Sequence, residues 1–380
     1  MIQRQLKLKP TKKQEEKLVD WLNILTGVWN FSIKKIENDA KDGIYYTKNE
    51  FNNILAGHSK KVGIPSHILQ GVLSQAHMSW TRCFKNISKK PQLKGQRNKL
   101  NSIPLPDPIK TPEFNKISVT GIGKVKYHKQ SIPDRKIKCG RVVRRASGWY
   151  LCLFIDADPN KITISGNGEV GIDPGFKSLL VLSSGEKIKH PRELERSERR
   201  IAQAQRGNRK KLAARLQERI ANQRKDRNHK LSRKLVSENK LIVFSADNHK
   251  KISKKFGKSV TSSGHYQLRQ MLSYKCIASD RKYVEVDSQF TTMTCSVCGS
   301  RTGPSGLTGL AVRHWDCSCG AQHDRDINAA CNILIAAVGT TVYMAACNAG
   351  NHQESAKKVI LAEVQTAKSR VKKERKNVKI

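Results

Sequence analysis

Apolar and polar positions alternate through Met1-Ile2-Gln3-Arg4-Gln5-Leu6-Lys7-Leu8, the pattern of an opening strand. Behind Pro10-Thr11-Lys12-Lys13-Gln14-Glu15 the period changes. Leu18, Leu22, Leu25, Trp29 and Ile33 recur at helical spacing, which predicts a helix with Thr11 as its N-cap. A second helix is predicted over about Ser66 to Asn86, with Ile68, Val72, Ala76, Trp80 and Phe84 on one face. Residues 87–110 are loop-rich and basic. Short strands follow from Ile117 to Asp156, with Ser147-Gly148 as a hairpin turn between Val142-Val143 and Trp149-Tyr150-Leu151, whose aromatics read as packing. Val170-Gly171-Ile172-Asp173 and Ser178 to Ser183 predict strands on either side of Pro174-Gly175. A long basic helical region runs from Pro191 to Ser237, with Leu212, Leu216, Ile220, Leu231 and Leu235 as its apolar stripe and Gly207-Asn208 folding it into a hairpin. Leu241-Ile242-Val243-Phe244 and Tyr283-Val284-Glu285-Val286 read as buried strands, and a last helix covers Asn328 to Leu334. Residues 354–380 form a Lys/Arg-rich tail, and no internal repeat is present.

Charge narrows the class. The 380 residues hold two or three modules, and 72 Lys and Arg against 31 Asp and Glu give a net charge of +41. A field of that size repels itself and is tolerable beside a polyanion, so nucleic acid is the expected partner. In the long helical region the charges are nearly all of one sign, which favours a face turned to phosphates. Arg209, Lys210, Lys211, Arg215, Arg219, Arg224, Lys225, Arg227 and Lys230 are the candidate contacts there, with Lys94 and Arg97 in the basic loop. No stretch reaches the roughly 18 to 20 apolar residues of a membrane span, and no secretory signal opens the chain. Cys83, Cys139, Cys152, Cys276, Cys331 and Cys347 are scattered and read as reduced, so a cytoplasmic, nucleoid-associated protein is expected.

The other four cysteines pair. Cys295-Ser296-Val297-Cys298-Gly299 is a knuckle, and Cys317-Ser318-Cys319-Gly320 supplies a second pair with a tighter spacer. Four thiolates brought together by a hairpin bind zinc tetrahedrally, and a closed four-ligand site is structural. His314 and His323 are alternatives for one thiolate because the Cys-x-Cys spacing is tight.

Two acids stand in positions suited to divalent-metal chemistry. Asp173 ends an apolar strand before a Pro-Gly turn, and Asp326 begins a helix directly after the second cysteine pair, with Asp324 a candidate cap. Nucleases that cut phosphodiesters with two metals need several carboxylates converging from separate strands and a helix, because magnesium prefers hard oxygen ligands.

Together, Gly171-Ile172-Asp173-Pro174-Gly175, the paired cysteines and His323-Asp324-Arg325-Asp326-Ile327-Asn328-Ala329-Ala330 resemble the TnpB family of transposon-encoded, RNA-guided DNA endonucleases related to type V CRISPR effectors. The stretch from Ile220 to Asp226, with His229-Lys230-Leu231-Ser232, and Lys94-Gly95 ahead of Ser102-Ile103-Pro104 add to the resemblance, which spans about residues 1–336. It implies an α/β multidomain protein. A wedge β-barrel would use residues 1–10 and 87–165, with a helical recognition insertion at 11–86. An RNase H-like (RuvC) fold would use 166–291 and 321–340, with a zinc ribbon at 292–320 and a basic tail at 341–380. It also implies a guide RNA, a double-stranded target DNA with a short flanking motif, and a monomer on one RNA.

One element of that pattern is missing. The family's middle catalytic residue is a Glu after the apolar strand, where this chain has Ser245, or in a subset a Glu before the zinc knuckle, where it has Ser288. A hydroxyl is a poor magnesium ligand, so magnesium binding is doubtful and Asp173 and Asp326 look vestigial. The expectation is a nuclease-dead factor that occupies guide-matched promoter DNA and represses transcription. The alternative is an active endonuclease with a displaced carboxylate, from Asp247, Glu285 or Asp287; strand alternation sets Glu285 and Asp287 on the face opposite Ser288. A basic zinc-ribbon binder without a guide leaves the order of Asp173 and Asp326 unexplained.

Overall fold

Burial alternates along β1 (Ile2–Lys9), with Leu6 and Leu8 inside and Lys7 and Lys9 outside. Thr11 caps α1 (Lys12–Lys41) through a capping box with Gln14, whose side chain returns to the Thr11 N–H. The computed structural model describes residues 2–157, 162–190, 193–246, 257–305, 309 and 311–339, and the chain divides into two units at Pro159 and Asn160. Residues 341–380, including Cys347 and the basic tail, and Asp247 lie outside the described residues.

In the first unit α2 (Lys48–Asn53), α3 (Ser59–Val62) and α4 (Ser66–Phe84) follow α1. Strands β2 (Ser102–Leu105), β3 (Lys116–Val119), β4 (Gly123–Tyr127), β5 (Ile137–Arg145) and β6 (Gly148–Ile155) then join β1 in one antiparallel sheet. Its order is β2-β5-β6-β1-β4-β3, and no pairing joins β2 to β3 among the described residues. Leu18, Trp21, Leu22 and Leu25 of α1 and Ile68, Leu69 and Val72 of α4 pack with the inner face of the sheet. The predicted faces hold with two corrections. Phe84 is 47% exposed, because α4 ends there. The β5–β6 turn falls at Ala146-Ser147, one residue earlier than predicted, since Arg145 pairs with Gly148.

The second unit is built on β7 (Gly168–Pro174), β8 (Ser178–Leu182), β9 (Lys187–Lys189), β10 (Asn239–Ser245) and β11 (Lys282–Val286). Their order is β11-β10-β7-β8-β9; β10 runs parallel to β7 and β11, whereas β8 is antiparallel to its neighbours. A parallel core with an antiparallel hairpin in this order is the RNase H-like arrangement. Between β9 and β10 lie α5 (Glu193–Arg206) and α6 (Lys210–Glu238), joined by Gly207 and by Asn208 in a left-handed conformation at φ 53°. Leu212 is 40% exposed, so the buried stripe of α6 runs instead through Ala213, Ile220, Leu235 and Val236. α6 and α7 (His265–Ala278) cover one face of the sheet, where Leu235, Leu268 and Leu272 meet Val170, Ile172, Ile242 and Phe244. Across the other face runs α8 (Arg325–Val338), with Ile333 and Leu334 against Leu241 and Val243.

The contact between α8 and β7 depends on one glycine. A Cβ at Gly171 would lie 2.8 Å from the Leu334 nitrogen and 2.9 Å from its Cβ, and against the Ala330 carbonyl. The missing side chain lets helix backbone and strand backbone touch.

Candidate metal and nucleic-acid sites

The short hairpin of β12 (His314–Asp316) and β13 (Gln322–Asp324) brings the two cysteine pairs together. The four sulfurs of Cys295, Cys298, Cys317 and Cys319 lie within 4.8 Å of one another. Cys295 and Cys319 are 3.8 Å apart and Cys298 and Cys317 3.6 Å. Metal–sulfur bonds of about 2.3 Å in a tetrahedron require sulfurs roughly 3.8 Å apart, a spacing that these two pairs already have, so the four thiols suit zinc. Backbone N–H from Cys319, then the hydroxyls of Ser300 and Thr302 at 3.4 and 3.3 Å, bring the Cys317 thiol down to about 5. Burial pushes the Cys295 thiol up to about 12, a cost that a dication would reverse. His323 borders the cluster without belonging to the four-cysteine set: its Nε2 lies 3.0 Å from the Cys295 sulfur, and its ring rests 4.5 Å from Trp315. His314 is exposed on β12.

β13 leads directly into α8. The Asp324 carboxylate accepts the N–H groups of Asp326 and Ile327, both at 3.1 Å, and is the N-cap. Burial would raise its pKa, but Lys187 at 2.5 Å and those two N–H groups hold it below the usual carboxylate range. Two asparagines one turn apart tie α8 to the knuckle. Asn328 Nδ2 donates to the Thr294 carbonyl at 2.8 Å while its Oδ1 accepts the Ser296 N–H at 2.9 Å; Asn332 Nδ2 donates to the Thr291 carbonyl at 2.8 Å. Residue spacing within the helix, Asn328 and Asn332 at i and i+4, is the signal that sequence reading passed over.

Asp173 and Asp326 arrive at one end of the sheet from different elements. Val170 and Ile172 of β7 pack with α6 and α7, so alternation turns Gly171 and Asp173 to the α8 side. Ala330 meets Gly171 one turn after Asp326. Along the helix that is about 6 Å, and from Gly171 to Asp173 about 7 Å. Arg313 Nη1 lies 3.3 and 3.1 Å from the two Asp326 oxygens, and Arg325 Nη2 is 3.4 Å from Oδ1. The carboxylate is therefore charge-balanced by two arginines, and Arg313 was not foreseen.

Ser245 follows the Phe244–Ile172 pair, so it stands beside Asp173 on the same side of the sheet. It is fully buried, and among the described residues its hydroxyl has no hydrogen-bond partner. Ser288 lies past β11, its carbonyl accepting the Thr291 hydroxyl at 2.9 Å. Glu285 is on the far face, as alternation predicts, bound by Arg269 and by the Tyr283 hydroxyl at 2.9 Å. Asp287 is exposed, one residue beyond the end of β11, and accepts the Gln289 N–H at 3.1 Å. These surroundings fit a divalent cation of the magnesium type: hard oxygens from two carboxylates and a buried hydroxyl left without a partner.

The basic candidates divide by role. Arg209, Lys210, Lys211, Arg215, Arg219, Lys225 and Lys230 are exposed on α6 or its entry, and Arg97 is exposed in its loop. Arg227 instead holds the unit together, with Nη1 2.9 Å from both Glu193 oxygens and Nη2 2.7 Å from the Ser263 carbonyl. Arg224 donates to the Thr261 carbonyl at 2.7 Å, Lys230 pairs with Asp226 at 2.7 Å, and Lys94 sits 6.0 Å over the Trp29 ring. No described helix is long and apolar enough to cross a membrane.

Comparison with known proteins agrees with this architecture. Residues 155–246 match a family described as a probable transposase, OrfB_IS605, and residues 265–333 match one described as Cas12f1-like, TNB domain. A relative from Streptomyces pristinaespiralis with the provisional name RNA-guided DNA endonuclease is 38% identical over 212 residues, 52% of each chain. The CRISPR-associated endodeoxyribonuclease Cas12f1 of Sulfoacidibacillus thermotolerans is 26% identical over 252 residues, 58% of each chain. The chain thus spans about half the length of these two relatives. InsQ of Escherichia coli K12, also named an RNA-guided DNA endonuclease, is 22% identical over 72% of this chain and 74% of its own. A Cas12f1–sgRNA–target DNA complex contains a protein of similar fold, with a TM-score of 0.56 at 16% identity, covering 85% of this chain and 83% of that one. These names correct one expectation. The two serines led to a reading of a protein that is not an enzyme, and the relatives carry the names of endonucleases.

Proposed function

We propose that this chain, a relative of the TnpB and Cas12f1 proteins, is an RNA-guided DNA endonuclease: it binds a guide RNA and cuts double-stranded DNA matched to that guide. The observation that supports the reading most is the contact at Gly171, which seats α8 directly on β7 of an RNase H-like sheet; Asp326 and Asp173 would then face one another at one end of it. Sequence choice would belong to base pairing with the guide, while the protein supplies backbone contacts and reads a short flanking motif.

A divalent cation, when bound, would polarise the scissile phosphate and supply an activated water. Asp173 and Asp326 are the residues that would hold it, and the Ser245 hydroxyl adds a neutral oxygen beside Asp173. Asp287 is the acid we assign to the position of a displaced third carboxylate. Glu285 is committed to Arg269 on the other face, whereas Asp287 follows the last residue of β11, where strand alternation no longer fixes its direction. Arg313 lies against Asp326, where it balances the charge that a bound dication would otherwise balance. The closed cysteine cluster holds the ribbon, and through Asn328 and Asn332 it fixes the start of α8.

In the wider architecture we place a wedge domain on the first sheet, with α1 to α4 as its recognition insertion, and a phosphate-tracking face on α6. The test is a cleavage assay. Protein purified with its own RNA and mixed with guide-matched duplex and magnesium should cut, and Asp173→Ala should bind the same duplex without cutting.

A further inference from the structure

One side chain of the first unit stands in a conformation the fold does not repay. Glu113 and Lys116 exchange backbone hydrogen bonds of 3.0 and 2.7 Å, closing a two-residue turn through Phe114 and Asn115. Both turn residues have left-handed backbones, at φ 44° and 58°. A turn of this kind favours Asn and Gly, and for a bulky aromatic the positive φ is a true outlier. Ordinarily such strain is offset by packing. Phe114 is 96% exposed, the most open of the large apolar side chains described, so packing offsets nothing.

The surface beside it is cationic. β1, β4 and β3 lie side by side, and the register sets Lys9 opposite Lys126 and Lys126 opposite Lys116. All three point outward, because Leu8, Val125 and Ile117 take the inner face, and Lys124 lies on the same side. Like charges directly across a sheet destabilise it. Among the described residues none of these four lysines has an ion-pair partner. An aromatic held open at the tip of a turn and a row of unpaired lysines behind it are two features that one ligand can use together.

We infer that this face of the β1-β4-β3 sheet is a nucleic-acid contact, in which Phe114 stacks on an unpaired base while Lys9, Lys116 and Lys126 take the adjoining phosphates. The inference rests on the reading of the chain as a nucleic-acid enzyme and gives it a second, non-catalytic site. An aromatic face accepts any base, so the site tolerates sequence, and the lysine row makes it sensitive to salt. An unpaired base is the fitting partner because a duplex offers stacking faces only at its ends.

The test uses the full chain and three probes: a short single-stranded RNA, the same sequence as single-stranded DNA, and a blunt duplex. Phe114→Asn removes the ring and installs a residue suited to the turn. It should raise the melting temperature and weaken single-strand binding by roughly ten- to a hundredfold, with little change for the duplex. Phe114→Trp should retain the affinity, and Lys126→Gln should lower the salt dependence of binding. A loss confined to RNA assigns the base to the guide, and one confined to DNA assigns it to the displaced strand; both uphold the site. Unchanged affinity for both single strands in a folded Phe114→Asn protein overturns it. Because binding alone is measured, the result is separate from whether Asp173 and Asp326 support cleavage.

Discussion

The cysteine cluster and the acidic end of the RNase H-like sheet lie next to one another in the second unit, and they are built in opposite ways. The cluster draws its four ligands from Cys295 to Cys319, its sulfurs already within 4.8 Å of one another. The acidic end draws Asp173, Ser245 and Asp326 from three places in the chain, and it depends on a backbone contact at Gly171 rather than on its own side chains. Local sites are complete when their spacing is complete. Assembled sites depend on packing that no short motif records.

Breaking the cluster should have the largest effect. Zinc in a site of this kind binds with free energy on the order of 10 kcal/mol. Cys317→Ser, or a strong chelator, should therefore release one ion per chain and unfold the ribbon, as read by metal analysis and by proteolysis between β11 and α8. Survival of the ribbon without metal would mean that Asn328 and Asn332 alone hold it.

Cleavage is the next comparison. Asp326→Ala should lower the rate by about a thousandfold or more while duplex affinity stays in place, since it removes a group acting on the reacting phosphate. Asp287→Ala should do the same, and Glu285→Ala should not; equal loss for both acids would undo the assignment of Asp287.

The packing contact is sharpened by Gly171→Ala. Its Cβ meets backbone atoms of α8 that cannot turn away, so a cost of about 3 kcal/mol is expected in urea unfolding, with reduced cleavage as Asp326 shifts. Arg227→Ala should cost a similar amount, about 3 kcal/mol, because it strands Glu193 and the Ser263 carbonyl.

The smallest effect is a pH dependence. Lys275 is half-buried, donating to the His229 carbonyl at 2.7 Å and to Ser232 Oγ at 2.6 Å, and burial, then Arg233, bring its pKa from 10.5 down to about 8. The unfolded chain then holds more protons between those values, so stability should rise as pH goes from about 8 to 10.5. Lys275→Met should flatten that rise in a pH series of unfolding curves.

The sequence made the local features readable. Thr11 as a cap, the α5–α6 turn at Gly207-Asn208, the cysteine set and Asp324 as the α8 cap all follow from residues near one another. Long-range features were less accessible. Arg313 against Asp326, Asn328 and Asn332 on the knuckle, and Arg227 on Glu193 each join side chains that only the folded chain brings together. Leu212 misled because apolar spacing marks a stripe but not where it ends. The serines misled in a different way. Ser245 and Ser288 describe two positions, whereas the relatives' names are those of whole endonucleases.

The central claim is tested most directly by the cut itself. Ribonucleoprotein carrying its native RNA, with matched duplex and magnesium, should yield guide-dependent cleavage that Asp173→Ala abolishes. Tight, guide-dependent binding with the DNA left intact would contradict it.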